Sequence, residues 1–378
     1  MPFKINSFKY NLFKIPKIIL LSQIALPFSE IGSWTTLYKN YLKGDHLVDC
    51  IICPEPEEKW DTVSYSFVVN DKLTKIKQKW TKNPYLGYLK ALERIMVPNE
   101  KYIIQIVDNF GIVKFLSDFF KKRGMRQQVY LQFFYHSFPP FYANFHERWF
   151  FESIDEMVLL THDSYLAHKD AYTVLPTRFS VLHNGIDTSI FHPVSIIEKS
   201  QLKKDQNLSD KKIFIWCSQD RPKKGLHIVL DAWKRVYEKR QDIVLWVIGC
   251  EPKSPVKGVE YLGRIPNEEL PKYYQAADCY LFPTLCHEGF GMSLIEALHC
   301  GNYCIASAAG GVSEVLQWGK LGKLIKEPNF VSEWENAILD FLNNEIVFDI
   351  SIPKDLYSAL KWNQGMDGLI ENAKKNMD

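Results

Sequence analysis

Short apolar runs alternate with amphipathic stretches along almost the whole chain. In the first half the runs fall at 17–21, 47–52, 102–106, 129–134, 157–160 and 180–182. They read as strands of a parallel sheet, the first of them continuously apolar because both faces are covered. Between them, 86–97 and 112–122 have the spacing of amphipathic helices. The stretch 195–212, SIIEKSQLKKDQNLSDKK, is polar and charged and reads as a boundary. Beyond it the alternation restarts, with strands at 213–217, 243–248, 259–262, 279–282 and 303–306 and helices at 226–239, 268–277 and 293–300. Repeated βαβ units of this kind predict an α/β protein of two doubly wound, Rossmann-like domains facing each other across a cleft. Their expected limits are 1–193 and 194–355, with a terminal helical segment at 356–378.

The N-terminus offers a competing reading. Lys4, Lys9, Lys14 and Lys17 precede an apolar run, the pattern of a leader peptide. Pro27-Phe28-Ser29-Glu30 follows where a small-x-small cleavage site would stand, so a first central strand is preferred. No apolar stretch reaches the ~20 residues of a membrane span. The expectation is a cytoplasmic protein whose membrane contact, if any, is peripheral.

Composition narrows the classes further. The 378 residues are 46% hydrophobic and 24% charged, which allows two packed cores. A formal charge of +2 without a basic stripe gives no reason to expect a nucleic-acid partner. The eight cysteines lack the second ligand cluster of a zinc site, and Cys50 and Cys53 fall in an apolar run; reduced core thiols are expected.

The densest chemical signal is a strand, a glycine turn and a helix, running Phe282-Pro-Thr-Leu-Cys-His-Glu288-Gly289-Phe290-Gly291-Met292-Ser293-Leu294-Ile-Glu296. Gly289 and Gly291 allow close backbone approach to a ligand. The helix opening near Met292 aims free N–H groups and its positive dipole end at the same space, which suits a diphosphate. Glu288 and Glu296 are placed to accept hydrogen bonds from sugar and ribose hydroxyls.

This segment resembles the signature of retaining glycosyltransferases of the GT-B fold, specifically glycosyltransferase family 4. Four further stretches carry the resemblance: Asn184-Gly-Ile-Asp187, Ser218-Gln-Asp-Arg221-Pro-Lys-Lys224-Gly225, Gly263-Arg264-Ile265-Pro266 and Gly310-Gly311-Val-Ser-Glu314. It implies a nucleotide-diphosphate sugar as donor and a glycan or lipid-linked acceptor in polysaccharide or lipopolysaccharide synthesis. Arg221 and Lys224 would neutralise the diphosphate, Arg264 and Ile265 would lie beside the base, and Glu296 would hold the ribose. The backbone of Gly289, Phe290, Gly291, Met292, Ser293 and Leu294 would meet phosphate and sugar. Glu288 and His136 would act at the reacting centre, and Gly32 would approach the diphosphate from the first domain. The N-terminal domain would bind the acceptor, the C-terminal domain the donor, and the terminal helix would cross back to the first domain.

Two departures stand out. Ser218-Gln219 replaces the usual Gly-Arg, leaving open whether Arg221 or Lys224 meets phosphate, and the first-domain loop has one glycine where two are usual. No Asp-x-Asp pair occurs, so no metal and no other cofactor is expected. His146, His162 and His287 are read as structural. The aromatic segment 133–151 includes Phe138-Pro-Pro-Phe-Tyr142, a loop over the cleft that suits sugar stacking, a membrane surface or packing on its own domain. The alternatives are an epimerase acting on the donor alone and a catalytically silent nucleotide-sugar-binding subunit.

Overall fold

The computed structural model describes residues 15–28, 33–140, 148–251, 254–343 and 352–377. Two parallel sheets organise it. The first contains β1 (Lys17–Leu21), β2 (Cys50–Ile52), β3 (Ser64–Tyr65), β4 (Tyr102–Val107), β5 (Val129–Tyr135), β6 (Glu156–Leu159) and β7 (Arg178–Val181), in the order β3-β2-β1-β4-β5-β6-β7. The second contains β8 (Lys212–Cys217), β9 (Ile243–Ile248), β10 (Val259–Gly263), β11 (Cys279–Phe282), β12 (Tyr303–Ser307) and β13 (Gly322–Ile325), in the order β10-β9-β8-β11-β12-β13. This is the expected α/β class with two doubly wound sheets. Every residue of β4, β5 and β9 is buried between two helical layers, including Gln105 and Gln132, whose side chains pair at 3.1 Å. The strand order reverses beside the first strand of each sheet, at β1/β4 and at β8/β11. Crevices open at the carboxyl ends of strands at such points.

Three local readings change. The edge strands β3 and β13 were not expected, because Ser-Tyr and Gly-Lys-Leu-Ile carry too little apolar sequence to stand out. The polar stretch after residue 195, read as a boundary, contains a helix. Ser195 and Glu198 form a reciprocal capping box that starts a helix, Ile196–Asp205. That helix packs on Leu270–Ala276, and Lys199 and Lys203 both pair with Asp278. Ile196 and Ile197 face solvent, so long lysine stems rather than an apolar stripe attach it.

All eight cysteines are free thiols; Cys217 and Cys286 are half-buried and the others buried. The run that imitates a leader peptide is β1, paired between β2 and β4.

The last helix, Ala359–Asn376, starts at the cap Ser358 and lies on the first domain. Trp362, Met366, Leu369, Ile370 and Ala373 form its buried stripe, in one cluster with Ile18, Leu20, Ile103 and Phe134. Trp362 meets the edges of Tyr38 and Tyr41 at 5.4 and 5.7 Å between ring centres. The two strands of chain between the domains are joined as well: Ile186 N–H donates to Tyr357 O at 2.9 Å and Ala359 N–H to Ile186 O at 2.7 Å.

Candidate active site

A cavity of about 600 Å³ lies where the two switch points face each other. The first domain contributes Thr36, Asn40 and His136; the second contributes Ser218, Gln219, Lys224 and the turn from Glu288 to Ser293, with Glu296 behind it.

The Lys224 loop is built by a tight turn. Pro222–Lys224 is one turn of 3-10 helix after β8, ended by Gly225. A side chain at Gly225 would meet Pro283 O at 1.8 Å, so this loop is pressed onto the exit of β11. That contact delivers Lys224 Nζ to 2.6 Å from Glu288 Oε2. Arg221 precedes the turn in extended backbone, is exposed, and lies outside the cavity wall. Of the two basic residues the sequence left open, Lys224 is the one in the cleft.

Gly291 has φ 93° and opens the helix Met292–His299, a conformation costly for any residue with a Cβ. Gly289 lines the cavity and is also constrained from the other side: a Cβ there would lie 2.9 Å from His136 O of the opposite domain. The turn thus touches both cleft and partner domain. Ser293 Oγ accepts from the Tyr280 hydroxyl at 2.8 Å, which fixes it at the helix start. Leu294 is fully buried beneath, so only its backbone can serve the site. Arg264 is exposed and Ile265 packs into the second domain's core; Asn267 and Glu268, just beyond, form the cavity wall instead. Gly32 lies outside the described residues, as do 141–147 of the aromatic segment with His146.

Glu296 reaches the cavity, yet its carboxyl sits beside Tyr274, Tyr280 and Cys217. Burial pushes its pKa up to about 7, against a smaller downward pull from the Tyr274 hydroxyl. An enclosed acceptor of this kind gains most when a ligand brings hydroxyl donors.

His136 follows β5 and is held by Asp108, a residue the sequence reading missed. Asp108 Oδ1 accepts from His136 N–H at 2.8 Å. Its Oδ2 lies 3.3 Å from Nδ1, at ion-pair distance but off hydrogen-bond geometry. Trp34 lies against the ring at 6.4 Å between centres. Asp108 has φ 49°, uncommon for a residue with a side chain. Its position at the carboxyl end of β4 was the available signal.

His162 proves to be part of an interdomain cluster. Glu314 Oε1 lies 2.7 Å from His183 Nε2 and 3.1 Å from His162 Nδ1, while Oε2 accepts from Asp163 N–H at 2.8 Å. Burial alone would raise the Glu314 pKa; His183, the N–H of Asp163 and His162 overcome it and hold it at about 2. Among the described residues these are the side chains close enough to share a metal ion, and both carboxylate oxygens already have partners.

Residues 198–359 match the family described as glycosyl transferases group 1. The match is confined to the second domain and its flanks, less than half of the chain. The group 1 match covers the Lys224 turn, the Glu288–Glu296 segment and Glu314. The chain is 32% identical to O-antigen chain mannosyltransferase B of Escherichia coli over 123 residues, 32% of this chain and 31% of that protein. It is 28% identical to phosphatidyl-myo-inositol mannosyltransferase of Mycobacterium tuberculosis over 150 residues, 38% of each chain. The aligned stretches of these relatives thus span less than half of their length. At the level of fold the likeness extends over almost the whole chain. Anabaena Alr3699/HepE in complex with UDP superposes with a TM-score of 0.71 at 15% identity, covering 94% of this chain and all of that one. Sucrose-phosphate synthase from Thermosynechococcus elongatus gives 0.64 at 17%, covering 96% and 97%. The fold is GT-B.

Proposed function

We propose that this protein is a glycosyltransferase that moves a sugar from a nucleoside-diphosphate sugar to a glycan or lipid-linked acceptor. The acceptor belongs to cell-surface polysaccharide, lipopolysaccharide or glycolipid synthesis. Transfer proceeds with retention of configuration and without a divalent metal. The observation that carries this reading is the meeting of Lys224, Glu288 and Glu296 around one glycine turn and helix start in an interdomain cleft. The names of the relatives, which include mannosyltransferases and lipopolysaccharide 1,2-N-acetylglucosaminetransferase of Salmonella typhimurium, support the acceptor class.

In the reaction the bond from the anomeric carbon to the diphosphate breaks, and the acceptor hydroxyl bonds to that carbon on the same face. Its proton passes to the departing phosphate oxygen. Negative charge grows on the diphosphate, so Lys224 and the N–H groups at the start of Met292–His299 lower the barrier. In the empty cleft Lys224 is neutralised by Glu288; donor entry hands the ammonium to phosphate and frees the carboxylate for sugar hydroxyls. Glu296 takes the ribose hydroxyls, and His136, steadied by Asp108, faces the sugar from the first domain.

The test is turnover of a panel of nucleotide sugars with polysaccharide and lipid-linked acceptors, in chelator, with the product's anomeric configuration read by NMR. UDP-glucose is the first donor to try, because HepE is known in complex with it. Transfer with retention in chelator is expected. Activity that returns only with added metal removes the metal-free reading, and an inverted product removes retention. Donor consumed without acceptor replaces the proposal with an epimerase. Failure to bind any nucleoside diphosphate leaves a silent subunit.

A further inference from the structure

The helix Lys72–Thr81, with sequence KLTKIKQKWT, is anchored on one side only. Asp71 caps it by accepting from Thr74 N–H at 2.6 Å, and Thr74 is its buried residue. Lys90, on the neighbouring helix Leu86–Ile95, donates to Thr74 Oγ1 at 2.6 Å. The rest of the surface is turned outward. Leu73, Ile76 and Trp80 are 71%, 62% and 91% exposed. At about 100° per residue these three fall within roughly 60° of one another, one apolar stripe on an outer face. Lys77 flanks the stripe on one side, Lys72 and Lys79 on the other, with Lys75 and Lys82 beyond. All five lysines are exposed, and none has an ion pair among the described residues.

A soluble face with an exposed tryptophan needs a reason, and single scattered apolar residues would not. Here the apolar residues are aligned and the charges carried by the helix itself all have one sign. A second copy of the chain does not fit, because a symmetric contact would bring the two sets of lysines together. An apolar layer bordered by negative charge does fit, and an anionic bilayer surface has that profile. Ten residues of helix are too short to span it and lie in its plane. The chain enters this helix from the carboxyl end of β3, the edge of the first sheet that faces the cleft.

We propose that Lys72–Thr81 docks the protein on anionic membrane surfaces, with Leu73, Ile76 and Trp80 in the interface and the lysines on the headgroups. This does not depend on the transfer reaction. If the acceptor is lipid-linked, it also brings the acceptor domain to the surface that holds it.

The test is flotation of the full chain with phosphatidylcholine–phosphatidylglycerol vesicles and with pure phosphatidylcholine vesicles. Binding to the anionic vesicles is expected, with release by salt and about fivefold loss for each lysine changed to glutamine. Trp80→Ser with Ile76→Ser should weaken binding at least about tenfold. Both variants should keep the wild-type thermal transition and any nucleotide-induced shift, since these side chains are exposed. Absence of the wild type from anionic vesicles overturns the proposal, as does equal flotation of wild type and the double serine variant. Concentration-dependent self-association lost in that variant would assign the face to a second copy and overturn it too.

Discussion

Glu296→Gln exchanges a carboxylate for an amide of the same shape in the wall of the cleft, and its two effects have opposite sign. Burial raises the Glu296 pKa from its ordinary 4.5 to about 7 in the empty site. A folded-state value above the unfolded one means that charging this group destabilises the fold. The cost is absent well below pH 4.5, grows as pH rises, and is complete above about pH 7. A rise of this size corresponds to roughly 3 kcal/mol, an upper bound because the cavity admits water. The glutamine variant is therefore expected to unfold at higher temperature than the wild type at pH 8, by several degrees, and at nearly the same temperature at pH 5. Nucleotide binding should move the other way. Hydroxyl-to-carboxylate bonds contribute about 1.5–3 kcal/mol, so the variant should lose tenfold to a hundredfold in nucleoside-diphosphate affinity at pH 8. Thermal unfolding with a nucleotide titration at the two pH values measures both. A variant less stable than the wild type at pH 8, or one that binds nucleotide equally well, would refute the assignment of Glu296 as an enclosed ligand-binding carboxylate.

Lys224→Ala should lower kcat by about a hundredfold to a thousandfold, the usual loss of one charge-stabilising donor, whereas Arg221→Ala should stay within a few-fold; steady-state kinetics compares them. Gly289→Ala places a Cβ 2.9 Å from His136 O and should reduce activity and lower the melting temperature by shifting the turn away from the first domain. Glu314→Gln should destabilise the fold by up to about 3 kcal/mol at pH 7, because its pKa is held at about 2. The sign is that of a depressed carboxylate: the stabilisation is present above pH 4.5 and lost toward pH 2, so wild type and variant should converge in acid denaturation.

What could be read from the sequence was whatever a single segment states by itself. β4, β5, β9 and β11 are apolar except for Gln105 and Gln132 because both faces are covered, and their limits were legible to within a residue. β3 and β13 are edge strands with one neighbour each, so nothing in their composition had to be apolar. The glycine turn at Gly289 and Gly291 was legible for the same reason: strand, turn and helix are contiguous. Its second constraint was not, because the atom that excludes a side chain at Gly289 belongs to His136, far away in the chain.

The same limit explains the rest of the cleft. Arg221 and Lys224 are equivalent as sequence, and what separates them is the packing of Gly225 on Pro283 across the sheet. Asp108 is one carboxylate among many until β4 and β5 pair and bring it under His136. Glu314 meets His183 and His162 across 131 and 152 residues of chain. These pairings join the first domain to the second, alongside the backbone bridge between Ile186 and Ser358. They place a cost on separating the domains, while the Lys224–Glu288 pair belongs to the second domain alone. On the proposed function, a donor diphosphate can therefore replace this internal ion pair without first breaking the contacts that hold the two halves of the cleft together.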